Sequence, residues 1–303
     1  MIWKRDWGLV GRQAVAWLVI LAIYVAIIAI ATYFLKGPIL YLIYGFVFIS
    51  AFVQFFFSDK IVQRTMHVQI VDEYSQPKLI AMIRGISQDA GIPMPKVGII
   101  MHPAMTNIPN AFATGRNKRH SVVAVTTGIL PLLNQEELEG VLAHELSHIK
   151  NHDMVTMTIA GFIASVASVL LISQTVNTLT GKKSLGEFFI HLIILIVVAV
   201  LFVLTLFLTR LLSRYREYAA DKGSAIITRN PDAMMSALDK ITNGVSITSS
   251  SSSAASLPAS ANLYFIIPAA RSMSLFGLFS THPSLKRRIK NLQKTKQYLV
   301  LFY

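Results

Sequence analysis

His144-Glu145-Leu146-Ser147-His148 lies near the middle of the chain, after Val141-Leu142-Ala143 and before Ile149-Lys150-Asn151-His152. On a helix, the i, i+4 spacing puts both imidazoles on one face and leaves Glu145 beside the water that a metal held there would activate. With eight histidines in 303 residues, chance produces the pattern in about 0.005 of such chains, so two unrelated surface histidines are a poor account of it. The helix also has a start signal, with Asn134 at the cap and Glu137 three residues on in the capping-box pattern. Cysteine is absent. Disulfides, a thiolate nucleophile and cysteine-ligated zinc are therefore excluded, and any metal must be held by histidine and carboxylate.

Tetrahedral zinc needs a third protein ligand and keeps its fourth position for water. His152 continues the i+4 series but lies about 12 Å along the axis from His144, whereas two ligands of one zinc sit only ~3–4 Å apart. The long metzincin continuation is missing, with Asn151 where Gly would stand and Met154 where a third His would. Further on, Arg216-Glu217-Tyr218-Ala219-Ala220-Asp221 would as a helix present Glu217 and Asp221 on one face. Glu217 is the expected third ligand. Asp221, one turn later, can accept the N–H of a ligating histidine and fix its tautomer. The competing account is a salt-bridged helix in which these acids pair with Arg214 or Lys222.

Away from these motifs the chain is strongly apolar, with 53% hydrophobic and only 14% charged residues and a mean hydropathy of +0.55. Four uncharged runs carry that excess: Ala14–Phe34, Ile39–Phe57, Met154–Ser173 and Ile190–Leu208. Each is long enough to cross a hydrocarbon core of about 30 Å as a helix. The first passes directly into the second through Lys36-Gly37-Pro38 and lacks a small-residue cleavage site, so it reads as a retained span rather than a signal peptide. Four spans put both termini and residues 58–153 on one side. Of the 28 basic residues only Lys36, Lys182 and Lys183 fall on the other, which makes the first side cytoplasmic. Two spans between His148 and Glu217 also return the chain to the same face, where one or three would separate them.

The net charge of +13 then follows from topology. The basic patches at Arg116–Arg119 and Lys286–Lys296 read as solvated faces near anionic lipid, and no nucleic-acid motif accompanies them. Gln76 to Ala90 reads as an amphipathic helix, and Val97 to Met101 and Ser121 to Thr126 as strands, with Asn110 to Thr114 available to pair between them. An α+β domain results. Ser246 to Ser260 is Ser/Ala-rich and reads as a mobile loop. His191, at the start of a span, reads as interfacial; His67, His102 and His120 belong to no motif.

The assembled motifs resemble the HtpX-type membrane zinc metalloproteases, relatives of the CAAX prenyl endopeptidases. The matching pieces are Asn110-Ala111-Phe112-Ala113-Thr114-Gly115, Ser121 through Gly128, Val141 through Asn151, Arg216 through Asp221, and Thr281-His282-Pro283-Ser284-Leu285 followed by Arg288-Ile289. The resemblance implies an ATP-independent endopeptidase of membrane-protein quality control. It implies one zinc per chain on His144, His148 and Glu217, and Asn110, Ala111 and Phe112 as an edge strand along which peptide substrate is laid. It further implies that His282 reaches the site to stabilise the oxyanion, and Arg288 could anchor that segment to a carboxylate. The serine-rich stretch has no counterpart in the family pattern.

The expected protein is thus an α-helical membrane protein with an α+β zincin-like cytoplasmic catalytic domain and about four transmembrane helices. Residues 1–57 form the first hairpin, 58–153 the first part of the catalytic domain, 154–212 the second hairpin and 213–303 the second catalytic part. Its partners are protein or peptide substrates, membrane proteins above all, and the lipid bilayer of the cell membrane; nucleic acid is not among them. Prenyl-protein processing is the alternative specificity. A transporter built on His191, or a non-proteolytic scaffold that keeps the zinc, are the alternatives of class.

Overall fold

Asn134 caps its helix as the sequence requires: the Asn134 side chain accepts the Glu137 N–H at 2.8 Å and the Glu137 carboxylate accepts the Asn134 N–H at 2.9 Å. The computed structural model describes residues 7–34, 38–103, 105–180, 184–249 and 283–302. The elements are α1 (Trp7–Phe34), α2 (Pro38–Thr65), β1 (Val68–Val71), α3 (Pro77–Ala90), β2 (Lys96–Ile100), β3 (Ala111–Asn117), β4 (His120–Thr126), α4 (Gln135–Lys150), α5 (Asp153–Thr180), α6 (Leu185–Thr228), α7 (Pro231–Ser249) and α8 (Leu285–Phe302). They pack as two compact units, one of residues 56–155 with 214–303 and one of residues 4–55 with 156–213.

The first unit holds a mixed four-stranded sheet in the order β1-β2-β4-β3. β2 runs parallel to β4 and pairs with it directly, Ile99 opposite Val125, so Asn110 to Thr114 does not enter between them as the strand pattern allowed. Instead β3 pairs antiparallel with the far side of β4, Phe112 opposite Ala124, and forms a sheet edge. The reason lies in burial. Val123, Ala124 and Val125 are fully buried, and a β-branched strand covered on both faces belongs at the centre of a sheet.

α4 packs on β3 and β4 of this sheet and against α3 and α7. Val141, Leu142, Leu146 and Ile149 meet Ile83 and Ile86 of α3, Val123 and Val125 of β4, and Met234 and Leu238 of α7 in one core. α3 owes its fit to an apolar stripe, a proline in its first turn and Gly91 in the left-handed conformation (φ 65°) at its end. α7 runs through Ser249, so the first residues of the serine-rich stretch extend a helix, to which each serine adds a hydrogen bond at small propensity cost. Residues 250–260 of that stretch lie outside the described residues.

Glu137 ties α4 to α7, its carboxylate accepting from Ser236 at 2.7 Å and Lys240 at 2.8 Å. Burial alone would raise the carboxyl pKa, but Lys240, Ser236 and the Asn134 N–H outweigh it and hold it below its ordinary value. Its stabilising contribution is therefore complete above the unfolded-state value and lost as pH falls through the folded one. Glu137→Ala should cost about 2 kcal/mol in thermal or denaturant unfolding at neutral pH, with the difference from wild type shrinking below about pH 4.

In the second unit the usual distribution of polarity is inverted. Phe46, Ile172 and Val200 are 73%, 63% and 60% exposed, while Gln174, Thr178 and Thr205 are buried. Gln174 meets His191 at 3.1 Å, which gives that histidine an interhelical partner. Ile23, Val166, Ala167 and Leu170 form the interior. Among the described residues, α5 over Asp153–Val176 and α6 are long and apolar enough to cross a membrane, and α1 and α2 carry the apolar stretches Ala14–Ile23 and Phe48–Phe57. α6 is a single helix of 44 residues, about 66 Å long, and carries the fourth apolar run and Glu217 on one unbroken backbone.

Candidate metal centre

The face of α4 that carries His144 and His148 looks at the stretch of α6 that carries Glu217. The two Nε2 atoms are 3.2 Å apart, with the rings nearly perpendicular at 87°. Glu217 Oε2 lies 3.6 Å from His144 Nε2, and Glu217 Oε1 lies 3.5 Å from His148 Nε2. One ligand atom from each of the three residues falls within 4.8 Å of the others, and all three residues are buried.

Each imidazole is held from behind. Asp221 Oδ1 is 3.1 Å from His144 Nδ1, and Asp153 Oδ2 is 2.6 Å from His148 Nδ1. Both rings therefore donate through Nδ1 and turn the Nε2 lone pair inward, the tautomer that a metal ligand needs. The carboxylates are held in turn. Arg288 of α8 donates to Asp221 at 2.9 and 2.6 Å, and Arg216 Nε lies 3.2 Å from the second oxygen of Asp153.

Charge fits the same reading. The carboxylates of Glu217, Asp221 and Asp153 outnumber the guanidinium groups of Arg216 and Arg288, so with neutral imidazoles this shell is net negative, which a cation balances. Left to protons alone, the site pulls them onto the rings. Burial lowers the His148 pKa, but Asp153 and Glu217 more than reverse this and push it up to about 10, and Asp221 with Glu217 outweighs burial to raise His144. Two imidazole nitrogens and a carboxylate with outer carboxylates in place is a zinc donor set.

Glu145 is 5% exposed. Burial raises its pKa, while both imidazoles and the N–H of Ala113 on β3, to which the carboxylate is hydrogen-bonded, act to lower it. That contact brings the sheet edge to the site. Thr126 N–H donates to the Asn110 carbonyl at 2.9 Å, so by antiparallel alternation Phe112 and Thr114 also turn their backbone groups to β4, and Ala111 and Ala113 turn theirs to the open edge. The Phe112 side chain points away into a small core with Val62, Met66, Ile100 and Met105. Asn110 does not cap a turn: its side-chain amide is buried, and among the described residues neither its oxygen nor its nitrogen has a hydrogen-bond partner.

Residues 73–296 match peptidase family M48. The chain belongs to that family. Protease HtpX homolog 2 of Methanosarcina mazei is 40% identical over 297 residues, covering 97% of this chain and 98% of its own. The Protease HtpX homologs of Moorella thermoacetica and Thermococcus kodakarensis are 38% and 37% identical and cover 96% and 95% of this chain. The crystal structure of S. mikatae Ste24p shares the fold, with a TM-score of 0.57 at 19% identity over 92% of this chain, which spans 64% of that protein. An M48 chain is a zinc metallopeptidase, and its substrates are peptides or proteins. The HtpX-type resemblance read from the motifs therefore stands, and this is a membrane zinc metalloprotease.

The M48 chain brings together more residues than the motifs announced. Asp153 and Arg216 escaped the sequence reading as parts of the site, although Asp153 stands only five residues beyond His148. Between them His152 takes the left-handed conformation (φ 58°) and turns the chain from α4 into α5. Arg288 does anchor its segment to a carboxylate, that of Asp221. His282 lies outside the described residues, as do Lys36, Lys182 and Lys183.

Proposed function

We propose that His144, His148 and Glu217 are the zinc ligands of an endopeptidase in which Glu145 is the general base, Asp221 positions His144, and β3 receives the substrate. The observation that carries this is the convergence of three inward-facing ligand atoms, a buried carboxylate and an open strand edge at one place. A zinc held there supplies a Lewis acid that polarises the scissile carbonyl and acidifies water. Glu145 takes the proton of the attacking water and delivers it to the leaving amine. The outward N–H and C=O of Ala111 and the C=O of Ala113 extend the sheet with the substrate backbone, which aligns the peptide independently of its sequence, while the Ala113 N–H is held by Glu145. Asn110 stands at the start of that strand, its buried side-chain amide without a hydrogen-bond partner among the described residues, and the family resemblance supports His282 as the group that stabilises the oxyanion. Incubating the detergent-solubilised protein with zinc and a model membrane protein, beside Glu145→Gln, tests the reading: products in the first sample alone support it, and transport or binding without cleavage would sink it.

The ligand assignment has its own test. Wild type should hold one zinc per chain, and Glu217→Ala about a tenth of that or less after dialysis, because two imidazoles alone make a poor site. Full occupancy in Glu217→Ala would move the third ligand to Asp221.

Four spans with both termini and the catalytic unit in the cytoplasm accommodate these parts, with residues 1–57 and 154–212 in the membrane and 58–153 and 213–303 joined as the catalytic domain. Misfolded or damaged proteins of the cell membrane, cut in exposed loops, are the substrates such placement favours. A reporter after Tyr303 should read cytoplasmic and one at Gly181 external. A cytoplasmic Gly181 fusion would make the second hairpin interfacial while leaving the chemistry intact.

A further inference from the structure

The end of the β3–β4 hairpin carries Arg116 in the strand and Lys118 and Arg119 in the turn, a basic group that the peptidase chemistry does not use. Its shape is built. Gly115 pairs with Ser121 and Asn117 with His120, which leaves Arg116 as an unpaired bulge residue. Gly115 has a φ of 142°, and a Cβ there would lie 2.1 Å from the His120 carbonyl oxygen, so the bulge depends on glycine. The Asn117 side chain accepts the N–H groups of Arg119 at 3.0 Å and His120 at 2.9 Å and closes the turn beyond it. The bulge turns Arg116 onto α2, where its guanidinium donates to the Phe56 carbonyl at 3.4 Å and lies 5.9 Å from the Phe56 ring.

That contact sets the turn beside Phe56. The uncharged run of α2 ends at Phe57, followed by Asp59 and Lys60, and Lys60 lies 5.6 Å from the Phe57 ring. Half-exposed aromatic rings followed at once by charge mark the level of lipid headgroups on a spanning helix. Lys118 is also within electrostatic reach of Lys150, three residues before α5 begins, so the same turn stands near the start of another apolar helix. Among the described residues, no carboxylate pairs with Arg116, Lys118 or Arg119.

We propose that this bulged turn is a binding site for anionic phospholipid headgroups, in which Arg116, Lys118 and Arg119 hold lipid phosphates where α2 leaves the bilayer. The chemistry is that of a juxtamembrane basic cluster, with the guanidinium of Arg116 suited to two-pronged phosphate contact. It also sets the substrate strand, since β3 ends in this turn, beside the membrane surface from which a loop would be presented.

The inference rests on α2 being a span, and the chain, having no cysteine, is already a background for testing that separately. In intact membranes Phe52→Cys should resist a water-soluble maleimide while Asp59→Cys reacts; labelling of both would remove the span and the lipid site with it. Given the span, native mass spectrometry of protein released from mixed vesicles should show retained phosphatidylglycerol in preference to phosphatidylcholine. The preference should fall about fivefold for each charge removed in Lys118→Gln/Arg119→Gln and further in the triple variant with Arg116→Gln. Casein cleavage by the same samples reports that they are folded. Lys78→Gln/Lys96→Gln, on α3 and β2, removes two exposed charges outside both basic patches and should leave the preference unchanged. An equal loss in that control, no loss in the turn variants, or displacement of phosphatidylglycerol by millimolar inorganic phosphate would overturn the proposal.

Discussion

Glu145→Gln should keep its zinc and lose cleavage of unfolded casein by about 10³-fold or more. The substitution changes very little besides the proton. The glutamine has the shape of the glutamate it replaces, and its amide oxygen can still accept the N–H of Ala113, so the packing of α4 on β3 persists. His144, His148 and Glu217 keep their geometry, since none takes its position from Glu145: Asp221 and Asp153 hold the rings, and Glu217 stands on α6. What disappears is a buried proton acceptor, which water cannot replace in a site of this exclusion. Metal analysis and a cleavage assay on one sample separate the two effects. Retained cleavage would remove Glu145 as the base, and lost zinc would make the carboxylate a structural member of the site.

The parts of this protein legible in its sequence are those that local chemistry determines. The capping box at Asn134, the histidine spacing on α4 and the uncharged runs each depend on residues within a few turns of one another, and Asn134 and Glu137 do bond reciprocally. Glu217 is remote, about 70 residues from His148, yet the parity of two intervening spans brings it into consideration. The sheet order was less accessible, because the parallel pairing of β2 with β4 depends on which strand the surrounding helices bury. β1, four residues of half-exposed chain, carries too little pattern to announce itself. α6 hides its length because Arg210, Arg214 and Arg216 end the hydropathy signal without ending the helix. Asp153 was the hardest to see. It reads as the polar start of an apolar helix, and only the left-handed turn at His152, a conformation sequence seldom announces for a residue other than glycine, returns its carboxylate to His148.

Asp153→Ala should weaken zinc binding by about 10- to 100-fold, as removing the partner of a ligating imidazole does elsewhere. The loss has two sources. His148 keeps its place on α4 but loses the acceptor that fixes its Nδ1 proton, so its ring can rotate and present the wrong nitrogen. Arg216, 11% exposed, loses the carboxylate at 3.2 Å and must find water or move, and it is the immediate neighbour of Glu217. One carboxylate thus steadies a ligand from each half of the site, one on α4 and one on α6, whereas Asp221 steadies His144 with Arg288 behind it. Asp153→Asn separates the two sources, since its amide oxygen still accepts from Nδ1 while the charge opposite Arg216 is gone. It should therefore lose less zinc affinity than Asp153→Ala in a chelator competition, while losing comparable thermal stability in the metal-free protein. If Asp153→Ala binds zinc as tightly as wild type, the hydrogen bond to His148 does not position the ligand. If Asp153→Asn is as weak as alanine, the charge rather than the hydrogen bond is what the site requires.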